Sequence, residues 1–285
     1  MDFAGYMPLL IVAAFLISLV CSTVGVSGAF LLLPVQVLVL GSTAPSISST
    51  NQLFNILATP AGILRFLREG RMLWPLALLL CAGTLPGLFL GLYLRTGLLA
   101  GARAFTIFAA AVLFFTGFSM LRGRKKSASK FQRGVTELRL ITCTCKRLVF
   151  AFQGTQYACS VPGLVCLSLG VGVVGGAYGI GGGSIMAPFL VSLFNLPVHA
   201  LSAATLFSTF MTAIASIVAS LALHALDPGL DILPNVPVAL CLGVGGMAGM
   251  YCGARLQKFL SSDILRKLLF VLVLMAAFSL LLRIL

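Results

Sequence analysis

Residues 148 to 226 contain no Asp, Glu, Lys or Arg, and neither do residues 3 to 64. A helix needs about 20 mostly apolar residues to cross a bilayer, so each block is long enough for two or three crossings. Shorter charge-free runs occupy 72 to 94, 104 to 121, 232 to 254 and 268 to 282. Soluble domains carry roughly 25% charged residues. This chain of 285 residues carries 9%, with 60% hydrophobic residues and a mean hydropathy of +1.11. The runs are continuous rather than alternating, which excludes transmembrane β-strands. The sequence therefore predicts an all-α, polytopic helical membrane protein.

The net charge of +13 is concentrated, because nine of the 19 basic residues lie between 122 and 160 beside a single acidic one. A basic segment between spans marks a cytoplasmic loop that can touch anionic membrane lipid, and it accounts for the charge without nucleic acid. Within that segment, residues 138 to 157 alternate in a β-prone way around a Gly154-Thr155 turn, which suggests a small hairpin. The first apolar stretch, residues 9 to 20, has no basic residue before it and no small-residue cleavage pattern after it, so it reads as an uncleaved span.

Five of the eight cysteines (Cys21, Cys81, Cys166, Cys241 and Cys252) fall in apolar segments, which is no disulfide framework. Cys143 and Cys145 form a lone C-x-C without a neighbouring His, too little for a metal site. Gly170-x-Gly172-x-x-Gly175 matches a dinucleotide fingerprint only on paper, since it lies in an apolar run with no βαβ context. There is no nucleophile with a base, no zinc spacing and no Walker sequence. Neither an enzyme, a cofactor, a metal nor an ATP-driven pump is expected.

The chain repeats itself. Placing Gly25-Val26-Ser27-Gly28-Ala29 over Gly179-Ile180-Gly181-Gly182-Gly183 aligns the two halves at an offset of 154, with Pro34 on Pro188 and Ser48 on Ser202. Further on the offset becomes 162, and Gly83, Gly87 and Gly91 fall on Gly245, Gly249 and Gly253. The extra residues lie around Asp227 and Asp231. The expected organisation is a first transmembrane repeat at 1–122, a basic linker at 123–160 and a second repeat at 161–285.

Each repeat reads as five apolar segments. They run from about 8 to 25, 29 to 40, 46 to 66, 73 to 94 and 102 to 121, and then from about 161 to 178, 184 to 194, 200 to 223, 236 to 255 and 266 to 283. The second segment of each repeat is too short for a straight span, so it is either re-entrant or half of a broken helix. Loop charge favours the broken helix. With the linker inside, the loop at Arg68, Glu69 and Arg71 is also inside. Asp227 and Asp231 then fall outside, and Arg255, Lys258, Arg266 and Lys267 inside, only if the short segments cross. Arg95 and Arg103 lie outside in either arrangement, against the rule. Five crossings per repeat make the two copies inverted, as in many secondary transporters.

Six glycines in nine residues, from 175 to 183, make a poor helix interior, and unwound backbone at membrane depth must be buried in protein or line a cavity. A short helix beginning just after each glycine stretch would point its free N–H groups and positive dipole end inward, an anion site that needs no charged side chain. This makes Gly25, Ser27 and Gly28, with Gly179, Gly181, Gly182, Gly183 and Ser184, candidate substrate-binding residues. Polar stripes follow on the next segments: Ser48, Ser49, Thr50, Asn51, Gln52 and Asn55 in the first copy, and Ser202, Thr205, Ser208, Thr209 and Thr212 in the second. From these, Asn51, Gln52, Asn55, Ser202 and Thr205 are candidate anion ligands, with helix-to-helix hydrogen bonding as the competing role. The tandem faces at Gly83, Gly87 and Gly91 and at Gly245, Gly249 and Gly253 are candidate helix-packing surfaces. His199 and His224 sit at segment ends, where an interfacial role is expected. No Asp or Glu lies in a span, which disfavours cation transport, although backbone carbonyls could still hold Na+.

The G-I-G-G-G-S-x-x-x-P run at 179 to 188, its echo G-V-S-G-A at 25 to 29 with Pro34, and the two-copy layout resemble the TauE/SafE family of sulfite and organosulfonate exporters. The resemblance implies a plasma-membrane permease for small sulfur-containing anions such as sulfite, thiosulfate or sulfoacetate. It departs from the family pattern at Ser27 and Ala29, where the second copy has glycines, and in its long basic linker. A passive anion channel and a membrane assembly or sensor protein without flux are the alternatives. H+ and Na+ are the candidate coupling ions for such a carrier.

Overall fold

The computed structural model describes residues 3–40, 44–99, 101–122 and 138–259, together with residues 264, 267, 270, 271, 274, 275 and 278. The first copy forms α1 (Phe3–Ser22), α2 (Ala29–Leu40), α3 (Pro45–Arg68), α4 (Trp74–Thr96) and α5 (Ala102–Arg122). The second forms α6 (Val161–Tyr178), α7 (Gly182–Leu193), α8 (Val198–Leu226) and α9 (Val236–Leu256), which ends in a 3-10 turn, Gln257–Phe259. The segment expected at 266 to 283 lies mostly outside the described residues; those described within it are helical. Proline at the first or second position sets the start of α3, α4, α6 and α9, where its missing N–H is not needed. Ser160 and Asn235 cap α6 and α9 by accepting from Gly163 N (3.4 Å) and Val238 N (3.2 Å).

The chain is not all-α. The linker carries three antiparallel strands, β1 (Leu138–Cys143), β2 (Arg147–Phe152) and β3 (Thr155–Ser160), in the order β1-β2-β3. The expected hairpin corresponds to β2 and β3, which turn through Gln153 and Gly154 at φ of 50° and 75°. The period-two pattern buries Leu148, Phe150 and Phe152 on one face of β2, and β1 pairs with the strand's other edge. A pattern of that period cannot present one apolar face on a helix.

Four described helical stretches are long and apolar enough to cross a membrane: Trp74–Thr96, Val161–Tyr178, Val198–Leu226 and Val236–Phe259. The 24-residue α3 reaches about 36 Å, also enough for a crossing, but carries a polar stripe. The bundle inverts the soluble pattern. Leu16, Leu78, Phe89, Val218 and Val244 are exposed, while Asn51, Gln52, Asn55, Thr205, Thr209 and Thr212 are fully buried.

The most extensive packing is of α4 along α6 and of α1 along α9. A Cβ added at Gly83, Gly87 or Gly91 would meet the carbonyl oxygens of Val165, Leu169 and Val173 in turn, so α4 and α6 run parallel at backbone distance. Gly245, Gly249 and Gly253 stand in the same way against Ile11, Phe15 and Leu19, so α9 and α1 are parallel too. In contrast, α3 and α8 are antiparallel. At the start of α3, Ser46 N donates to Asp231 O (2.9 Å) and Thr50 Oγ1 accepts from Asn235 N (2.8 Å), both just past the end of α8. Just past the end of α3, Arg71 Nη2 donates to His199 O (2.6 Å) at the start of α8.

Leucine at Gly87 or Gly249 must push whole helices apart. Each variant should lose about 3 kcal/mol or more of stability by overpacking, read as a lower unfolding temperature in detergent. Gly170→Ala, inside α6 where an added Cβ meets nothing within 4 Å, should not lower that temperature and should raise it slightly.

Candidate functional site

Both copies break in the same way. After α1, Val26 N donates to Cys21 O (3.1 Å), and after α6, Ile180 N donates to Gly175 O (3.1 Å). Gly25 and Gly179 turn the chain at φ of +74° and +83°, left-handed values that a Cβ would disfavour. Each is roofed by a serine of the other copy: an added Cβ would lie 2.6 Å from Ser202 Cα at Gly25 and 2.6 Å from Ser48 Cα at Gly179. The helices then restart, with Phe30 N on Ser27 O (3.3 Å) and Ser184 N on Gly181 O (3.2 Å).

Side chains of the two polar helices clamp these breaks. Asn51 Nδ2 donates to Gly179 O (3.1 Å) and to Ala29 O (2.9 Å), and its Oδ1 accepts from Gln36 Nε2 (3.1 Å). Thr205 Oγ1, at the repeat-equivalent position, donates to Gly25 O (2.7 Å). Asn55 joins the two copies, since its Nδ2 donates to Ile180 O (3.0 Å) and its Oδ1 accepts from Ser27 Oγ. The amides of Asn51 and Asn55, expected to face an anion, here satisfy main-chain carbonyls. Gln52 differs: its Oε1 accepts from Asn55 (3.5 Å), and its Nε2 is buried without a hydrogen-bond partner. Ser202 and Thr205 hold the Gly25 break rather than the start of α7.

The copies diverge where the short helices begin. Ser27 Oγ caps α2 by accepting from Ala29 N (3.2 Å), and the unpartnered Ser18 Oγ lies against Gly28. The position equivalent to Ser27 is Gly181, and α7 starts there without a side-chain cap. Threonines surround that start, with the Thr212 hydroxyl against Gly181, the Thr209 hydroxyl against Gly183 and the Thr84 methyl against Gly182. Ser184 Oγ lies 3.3 Å from Thr209 Oγ1, and Thr84 Oγ1 lies 3.1 Å from Ser208 Oγ. Thr209 and Thr212 donate back to Thr205 O (2.9 Å) and Ser208 O (2.8 Å) of their own helix. The repeat-equivalent positions of Thr84, Ser208 and Thr212 hold Gly246, Phe54 and Ala58, and the Phe54 ring fills the space over Gly246. Gly183 packs on the α8 backbone at Thr205 O, which brings α7 against the threonines.

Sequence reasoning passed over Thr84, whose signal was a lone hydroxyl beside Gly83 in an apolar span. It included Ser208, Thr209 and Thr212 in the stripe without singling them out. His199, in the first turn of α8, is 7% exposed. Outside the spans, burial lowers the Arg71 pKa while Glu69, 3.1 Å away, supports its charge. Among the described residues no group of three His, Cys, Asp or Glu side chains could hold a metal, and Cys143 and Cys145 are exposed.

Two matched helix breaks thus meet among buried polar faces in a bundle with four described stretches long and apolar enough to cross a membrane. Residues 10–280, nearly the whole chain, match the family described as Sulfite exporter TauE/SafE, and the protein belongs to that family of membrane transporters. No curated protein and no solved structure gives a significant match.

Removing the Asn55 amide takes from Ile180 O one of its two donors, Ser184 Oγ at 2.9 Å being the other, and leaves the buried Ser27 hydroxyl without its acceptor. Asn55→Leu should therefore cost about 1–3 kcal/mol in a detergent unfolding experiment, more than Gln52→Leu.

Proposed function

We propose that the protein is a plasma-membrane secondary transporter that carries a small sulfur oxyanion, such as sulfite, thiosulfate or sulfoacetate, by alternating access. The observation that carries this reading is the start of α7, which has no side-chain cap and has the Thr212 hydroxyl against Gly181, the Thr209 hydroxyl against Gly183 and Ser184 Oγ beside Thr209. Such an end bears roughly half a positive charge on its free amides and attracts anions without a charged side chain. Gly182 and Gly183 let an oxygen approach the backbone closely. Thr209 and Thr212 would turn from their own helix carbonyls to donate to the ligand. No Asp or Glu occurs in α1 to α9 to repel it. The sulfur chemistry is carried over from the family.

The arrangement of the copies supports alternating access. Antiparallel α3 and α8, with parallel α4/α6 and α1/α9, support an odd number of crossings per copy, in which α2 and α7 each complete one. The two copies are then inverted. The loop at Arg71 and the strands face the cytoplasm, and Asp227 and Asp231 face outward. Rocking of one copy against the other along the glycine faces would expose the α7 start to each side in turn.

Uptake of labelled sulfite, thiosulfate and sulfoacetate into proteoliposomes, with and without a pH gradient, tests this. Saturable uptake with counterflow is expected; uptake without counterflow would indicate a channel, and no flux from folded protein a non-transport role. Thr209→Val keeps the shape but removes a donor, so KM should rise about tenfold. Gly182→Leu should abolish flux in folded protein, and normal flux in that variant would contradict the site.

A further inference from the structure

Each glycine break is backed, through its serine roof, by a long polar side chain from the end of the opposing bundle. At one end Gln257 Nε2 donates to Ser202 Oγ (2.7 Å), the serine over Gly25. Gln257 Oε1 accepts from Arg71 Nη2 (2.5 Å), and Arg71, only 2% exposed, also reaches His199 O (2.6 Å) and Glu69 (3.1 Å). At the other end Arg95 Nε donates to Ser48 Oγ (3.2 Å), the serine over Gly179. Arg95 also donates to Leu99 O, and its guanidinium stacks 3.7 Å from the Phe105 ring centre.

The two constructions correspond member by member under the internal repeat. Gly25 matches Gly179 and Ser202 matches Ser48 at the offset of 154, and Gln257 matches Arg95 at the offset of 162. The difference lies in the source of the charge. Arg95 supplies it directly, whereas Gln257 relies on Arg71 from the loop between α3 and α4. A charge-assisted bond in a buried site holds its partner firmly, yet a serine over a glycine without Cβ is free to slide once that bond is released.

Resting on the carrier reading, we propose that these are the two gates of the transport cycle. The Arg71–Gln257 latch closes the cytoplasmic side by pinning Ser202 over Gly25. Arg95 closes the outer side by pinning Ser48 over Gly179. Both latches are engaged here, so this is the occluded form, and each half of the cycle releases one while the other holds. Arg71, Gln257 and Arg95 are positioning residues, which act on the anion path through the serines. Weakening one latch populates the state open on that side at the expense of the other.

Hydrogen–deuterium exchange on the full chain in nanodiscs tests this without requiring flux. Arg71→Ala should speed amide exchange across residues 22 to 30 about tenfold and leave 176 to 184 unchanged, as should the volume-conserving Gln257→Met. Arg95→Ala should do the reverse. Acceleration of both segments together, or of neither, in folded protein overturns the proposal. A second readout separates gating from general loosening: Arg71→Ala should lower the KM for thiosulfate on the cytoplasmic face and raise it on the outer face, each by about threefold or more. Movement of both KM values in one direction overturns the proposal. If no anion is carried, the exchange pattern still decides the latches; if the pattern fails, the uptake result for the wild-type protein is untouched.

Discussion

Unwound backbone inside a membrane protein leaves carbonyls and amides that hydrocarbon cannot satisfy, and every other feature of this molecule answers that constraint. Here two such stretches lie in one bundle. Their carbonyls at Gly25, Gly179 and Ile180 are taken by Thr205, Asn51 and Asn55 from the long helices of the opposite copy. That need explains why α3 and α8 bury a polar face. It also explains why α4 and α9 carry glycine stripes: the helices flanking the breaks must come close enough for short side chains to reach.

Duplication supplied two equivalent breaks, and the copies have since diverged in a chemically directed way. The first break has Ser27, with Phe54 and Gly246, where the second has Gly181, with Ser208 and Thr84. In the first set the Ser27 hydroxyl caps α2 and the Phe54 ring fills the space over Gly246, whereas in the second α7 starts uncapped.

Much of the architecture was legible in the sequence because it is periodic. The repeat offset located both breaks, the three- and four-residue spacing located the polar faces, and the glycine series located the close helix pairs. The roles of individual polar residues were not legible, because their partners lie far away in the chain. Asn51 meets Gly179 across 128 residues, and Arg71 meets Gln257 across 186. Spacing rules describe one helix at a time and cannot show that an amide is already engaged elsewhere. Arg95 illustrates the same point, since it violates the positive-inside pattern when counted as a loop charge. In the structure it lies in the last turn of α4, fully buried between Ser48 and Phe105. The strands at 138 to 160 were only partly foreseen, because the pattern marked one turn but not the pairing of β1.

The central claim is that an oxyanion sits at the start of α7. The most direct test is an anomalous difference map from crystals grown with a selenium oxyanion, selenite or selenate, recorded at the selenium edge. The account predicts a peak within hydrogen-bonding reach of the Gly182 and Gly183 amides and the Thr209 hydroxyl. A selenium peak confined to the start of α2, or to the arginines at either end, would contradict it.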